Sequence, residues 1–439
     1  MKKHIRWLYG ELPGLVKKGV VSEAYAHALR DHYGDVKQHS GRMVALTVCS
    51  ILGALLIGAG IILLFGHNWN ALSRPVRTVL ALLPLIAAQG GGAWCLYRGE
   101  QSAAWRESIS VFIMLMIGSS IALIGQTYHI PGNLTQFLLV WMILSLPLMY
   151  VFRSVLPCLL YLVGIMGWAG SAQHDGGHTL LFWALYAGAV PHIWNTMRVD
   201  RFSIPSGILG WGLCIHAAWI GVALERVMPG LWIPIYMGLF STLYLAGAYW
   251  FDEAPSGWQK PMQLVGAAGV VVLTLMLTYD WTWDDVGWRH WHYGWRYHQH
   301  AAWVDYLLAS IAPLAATALM VTAVRRRELW RLSYGLAAIV GAVGFAIAAS
   351  QPSGDMLCIL LCNAYALALG VSTLVYGIRE ERIGTVNGGM GILAALIVLR
   401  FFDEDFSFIV KGCAFIAMGV GILTTNVLLV RRTRKEVAA

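Results

Sequence analysis

From Met43 to a basic C-terminal tail, long apolar stretches alternate with short polar breaks, and most stretches approach the roughly 20 residues a bilayer-spanning helix needs. Breaking them at charges, Pro and Gly predicts spans at 43–66, 76–97, 109–127, 134–152, 155–172, 180–197 and 204–223. The same procedure places seven more at 231–250, 261–279, 306–324, 332–349, 356–377, 383–399 and 409–430. The expected fold is all-α: a polytopic transmembrane helix bundle of about fourteen spans over 43–430, preceded by a short cytoplasmic helical hairpin at 1–42 and followed by a basic cytoplasmic tail at 431–439. Because the first long apolar block starts at Met43, Lys2 and Lys3 do not flank a cleavable signal, and the first span reads as an uncleaved anchor.

The polar pattern before Met43 is different. An amphipathic segment from Ile5 to Val16 is broken at Pro13 and Gly14, and Ser22 is placed to cap a second helix that stops at Gly34. Such a hairpin could dock a partner or regulate the membrane part; it could equally lie on the bilayer surface as an amphipathic pair.

Composition supports the membrane reading. Hydrophobic residues make up 58% of the 439 positions and charged residues 12%, about half the share usual in soluble domains, too few to cover a water-soluble fold. The net charge of +8 is scattered between apolar blocks and forms no interleaved basic face, which argues against nucleic acid. Its placement reports orientation instead. With the N-terminus in the cytoplasm, 24 of the 31 Lys and Arg fall inside, and only Arg74, Arg77, Arg226, Arg289, Arg296, Arg400 and Lys411 fall outside. Both termini are therefore expected in the cytoplasm.

The seven cysteines all lie in apolar blocks, where they behave as small hydrophobes and suggest neither a disulfide framework nor a metal site. No HExxH, GxSxG, Walker A or paired-carboxylate constellation stands in a context that supports catalysis, so no reaction and no cofactor are implied. Polar side chains deep in the spans are few: Gln89, His192, Asn195, His216, Asn363, Asn387 and Asn426.

The concentrated polar chemistry sits at span ends. The first span ends in Gly66-His67-Asn68-Trp69-Asn70, with Arg74 beyond; the third ends in Gly125-Gln126-Thr127-Tyr128-His129-Ile130-Pro131-Gly132; the thirteenth ends in Arg400-Phe401-Phe402-Asp403. The predicted topology puts all three at the external boundary. Polar groups near hydrocarbon are costly without partners, so Asn68, Asn70, Arg74, Gln126, His129, Arg400 and Asp403 are expected to converge on one substrate site. The competing reading lets the basic residues snorkel to headgroups on separate sides of the bundle.

These motifs, GHNWN, GQTYHIPG and RFFD, together with Asn387-Gly388-Gly389 and the N-terminal segment, resemble a bacterial family of predicted multi-pass membrane proteins that carries an N-terminal domain of unknown function. The resemblance implies the architecture and carries no catalytic residue with it. The external loop 280–303 lies outside it. There Trp281, Trp283, Trp288, Trp291, Trp295 and Trp303 interleave with His290, His292, His298 and His300. The His-x-His pairs could hold a transition metal, but no thiolate joins them and i, i+2 side chains diverge on a helix, so an aromatic belt or a lid over sugars or lipids is the stronger reading.

Many spans with few intramembrane polar groups fit transport or flipping of a polar or lipid-linked solute, with membrane lipids as the surrounding partner. The alternatives are an accessory or sensory protein that binds partners through its N-terminal hairpin, and a cell-envelope transferase. The sequence does not determine the oligomeric state.

Overall fold

The computed structural model describes residues 72–99, 103–224, 228–251, 257–283, 302–350 and 355–403, with 14–16 and 18–33 and the isolated positions 8, 11, 12, 286, 416, 419 and 420. The chain divides into two compact units, Met1–Arg77 and Thr78–Ala439. The expected spans at 43–66 and 409–430, the tail 431–439 and most of the segment before Gly14 lie outside the described residues.

In the first unit, α1 (Glu23–Tyr33) starts where the cap was expected: the Ser22 hydroxyl accepts the Tyr25 N–H at 3.4 Å, and the Ser22 carbonyl accepts that of Ala26 at 3.0 Å. Upstream, a helical turn closes at Gly19, whose φ of +70° lets Val20 N–H reach back to the Leu15 carbonyl at 3.0 Å.

The apolar blocks become helices in chain order: α2 (Arg74–Tyr97), α3 (Ala103–Tyr128), α4 (Leu134–Val151), α5 (Leu156–His174), α6 (Leu181–Val199) and α7 (Ile204–Ala218). They continue with α8 (Trp232–Trp250), α9 (Pro261–Met276), α10 (Ala302–Arg325), α11 (Leu332–Ser350), α12 (Asp355–Arg379) and α13 (Ile383–Asp403). Eight of them, α2 to α5 and α10 to α13, are long and apolar enough to cross a bilayer. Leu83, Ile86, Val163, Leu314 and Leu360 are each more than half exposed, apolar surface that hydrocarbon rather than water would cover.

The two larger of four packed clusters among the described residues organise the second unit. One joins α3 to α7 around Met142, Met149, Tyr161, Ile165, Trp168, Phe182 and Leu209. The other surrounds α8, with Ile233, Met237, Phe240 and Tyr244 packed against Val270 of α9, Tyr334 of α11 and Leu369 of α12. At the α8–α9 crossing the backbones touch: a Cβ on Gly266 would sit 2.4 Å from the Tyr244 nitrogen, and one on Gly247 would sit 2.5 Å from that of Gln263. Small residues allow this approach, which replaces side-chain packing with direct helix contact.

Two expected spans are shorter than predicted. The α-helical part of 204–223 stops at Ala218 and that of 261–279 at Met276, leaving 15 and 16 residues. At 1.5 Å per residue neither would cross a core of about 30 Å as α-helix alone. Side chains from elsewhere take the carbonyls that these ends free. Tyr236 donates to the Ala218 carbonyl at 3.0 Å and accepts the Gly221 N–H at 2.8 Å; the Trp283 indole donates to the Leu277 carbonyl at 2.9 Å. At the end of α8, Arg331 and Arg201 donate to the carbonyls of Ala248 and Trp250, each at 3.0 Å. Helix ends leave carbonyls unsatisfied, and these donors take them up.

Trp283 is accordingly no part of a surface belt. It is 1% exposed, while Trp281 and Trp303 of the same loop lie at the surface. His290, His292, His298 and His300, with Trp288, Trp291 and Trp295, lie outside the described residues. Five cysteines, Cys95, Cys158, Cys214, Cys358 and Cys362, are free and buried.

Candidate functional site

α2, α3 and α4 enclose a partly open cleft of about 840 Å³, within the range of small-molecule sites. Its walls are mostly apolar, with Leu82, Leu85, Ile117, Ile121, Val140 and Leu144 along the helices. Polar groups enter at different levels: Gln126, Asn133 and Gln136 at the junction of α3 and α4, then Ser120, then Gln89 on α2.

Three hydrogen bonds hold the walls. Thr78 and Tyr128 pair through their hydroxyls at 2.9 Å, joining the start of α2 to the end of α3. Deeper, Ser120 donates to the Ala81 carbonyl at 2.8 Å, and the Trp141 indole donates to that of Met114 at 2.7 Å. The Trp141 ring occupies the space where a side chain on Gly118 would be; a Cβ there would sit 2.6 Å from it. Gly118 therefore sets the closeness of α3 and α4.

The GQTYHIPG stretch forms the rim of the cleft at this junction. α3 ends at Tyr128 because His129 adopts φ +52°, and Ile130 N–H then bonds the Gly125 carbonyl at 3.0 Å, a left-handed helix stop. His and Asn enter this backbone region more readily than most residues other than Gly. The next helix opens at Asn133, whose carbonyl oxygen Oδ1 accepts the Gln136 N–H at 2.9 Å. The Asn133 amide also donates to Asp175 at 3.0 Å, and Thr135 donates to the same carboxylate oxygen at 2.6 Å. Thr135 further pairs with Ser171 at 2.6 Å, tying the end of α5 to the cleft rim.

Of the expected site residues, Gln126 lines the cleft, and His129 stands exposed beside it as the helix stop. Arg74 opens α2 in the first unit. Arg400 lies on α13, where its guanidinium donates to the Thr278 carbonyl and sits 4.9 Å from the centre of the Tyr279 ring. Neither of these partners lines the cleft. Asn68, Asn70 and the Asp403 side chain lie outside the described residues.

Gln89 is visible in the sequence as a deep polar residue, but its neighbours are not. Asp175 is an ordinary loop carboxylate in sequence, and nothing in a 42-residue separation signals its bond to Asn133. Among the described residues no group of three or more His, Cys, Asp or Glu is arranged to hold a metal ion.

The cleft lies between residues 82 and 144, which is also where comparison with known proteins finds a match. The model of the family described as Predicted membrane protein (DUF2157) matches residues 13–158. That third of the chain contains GHNWN, GQTYHIPG and every residue lining the cleft; RFFD lies beyond it. No curated protein and no solved structure matches the chain.

Proposed function

We propose that the protein moves an amphiphile, a polar or lipid-linked solute with an apolar tail, across a bacterial inner membrane along the α2–α3–α4 cleft. The supporting observation is the placement of polar groups at more than one depth on an apolar wall. Gln89 follows Thr78 by about 16 Å of helix axis, roughly half the thickness of a hydrocarbon core. An amide so deep is costly unless something polar meets it, and a passing headgroup would do so. Gln126, Asn133 and Gln136 would receive the headgroup at the outer end, while Leu85, Ile121 and Val140 would accompany the tail.

In this reading the chain crosses the membrane about fourteen times with both ends in the cytoplasm. The arginine-rich turn Arg325, Arg326, Arg327 and the basic tail support the orientation.

The test is movement of a lipid with a fluorescent headgroup between leaflets of vesicles containing the purified protein, read by quenching with an impermeant reductant. The protein should make the inner-leaflet pool accessible faster than in protein-free vesicles. Gln89→Leu and Gln126→Leu should each slow it by about tenfold, the value of one hydrogen bond to the moving group. Wild-type vesicles no faster than empty ones would overturn the reading. In that case binding of the same lipid without movement would favour an accessory role or a transferase.

A further inference from the structure

A second cavity, of about 580 Å³, lies between α5 and α7 and shares no lining residue with the cleft. Leu159, Leu162, Met166, Ile215 and Trp219 make its walls, and His216 is its polar member. His216 is 7% exposed, and its buried Nε2 has no hydrogen-bond partner among the described residues. The ring is fixed by stacking: its centre is 5.7 Å from that of Phe182 and 5.2 Å from that of Tyr186, with interplanar angles of 11° and 12°. A histidine kept only for packing would be served as well by an apolar ring. A buried imidazole nitrogen left without a partner is unfavourable unless a ligand or water completes it.

The lining limits what that ligand is. Among the described residues no charged side chain borders the cavity, so a carboxylate or phosphate headgroup would find no counter-charge among them. Val163, 69% exposed, also lines the cavity and places one wall on the lipid-facing surface. We propose that this cavity binds an uncharged membrane amphiphile, an aliphatic or isoprenoid body with one carbonyl or hydroxyl oxygen, which hydrogen-bonds to the His216 imidazole. Imidazole donates to a carbonyl as one tautomer and accepts from a hydroxyl as the other, so a quinone and a long-chain alcohol share the required chemistry.

The experiment is equilibrium binding of radiolabelled decyl-benzoquinone and of radiolabelled dodecanol to the full-length protein in detergent, with laurate as the charged control. At least one uncharged probe should bind saturably and better than laurate, and which one does so identifies the source. His216→Phe, which keeps the stack and removes the nitrogen, should weaken that binding by about tenfold. Val163→Trp, which fills the cavity from its exposed side, should abolish it. The proposal is overturned if neither uncharged probe saturates, if laurate binds as well, or if binding survives both His216→Phe and Val163→Trp.

Discussion

Glu107 near the start of α3 caps a helix that begins 49 residues later: its two carboxylate oxygens accept the N–H of Val155 at 2.7 Å and of Leu156 at 2.8 Å. α5 begins without a side-chain cap of its own, and a carboxylate also suits the positive end of a helix. Ser110, one turn further along α3, donates to the Ser154 hydroxyl at 3.0 Å and extends the clamp. Glu107→Ala should lower stability by about 1–3 kcal/mol, and Glu107→Gln by less, since its amide oxygen still accepts one bond. Thermal unfolding of the purified variants checks this; an unchanged midpoint for the alanine variant would mean that water serves these N–H groups equally well.

His129 separates a structural from a binding role. Its left-handed backbone costs a β-branched residue about 1–2 kcal/mol and costs Gly nothing. His129→Gly should keep the melting temperature and His129→Val should lower it. A glycine variant that is stable but defective in lipid movement would assign the imidazole to the substrate.

Arg400 holds the end of α9 to α13 through the Thr278 carbonyl and the Tyr279 ring, while Tyr279 in turn donates to the Leu399 carbonyl at 3.4 Å. Arg400→Ala should therefore lower stability by about 1–3 kcal/mol, and Arg400→Lys should restore only part of it because an ammonium lacks the planar face. Full stability of the alanine variant, measured by thermal unfolding, would return Arg400 to the list of substrate residues.

Cysteine labelling tests the orientation, and the five described native cysteines are buried enough to give little background. Arg326→Cys should react with an impermeant maleimide only from the cytoplasmic side and His178→Cys only from outside; both positions are exposed. Reaction of both from one side would remove the predicted alternation of spans.

Apolar block length was enough to place α2 to α13, because in hydrocarbon a backbone must satisfy its own hydrogen bonds and helix is the local way to do so. The cap at Ser22 and the stop near Tyr128 were legible for the same reason: each depends on residues a few positions apart. The early ends of α7 and α9 were not, because Tyr236, Trp283 and Arg400 reach the freed carbonyls from other elements. Sequence also marked Gln89 and His216 as polar residues inside apolar blocks. Only packing decided that Gln89 borders a cleft built by α3 and α4, and that His216 is stacked on α6 beside a cavity formed with α5. Which face of a helix meets a neighbour, and which meets a void, depends on side-chain volumes contributed by other helices. Tertiary structure alone supplies that information.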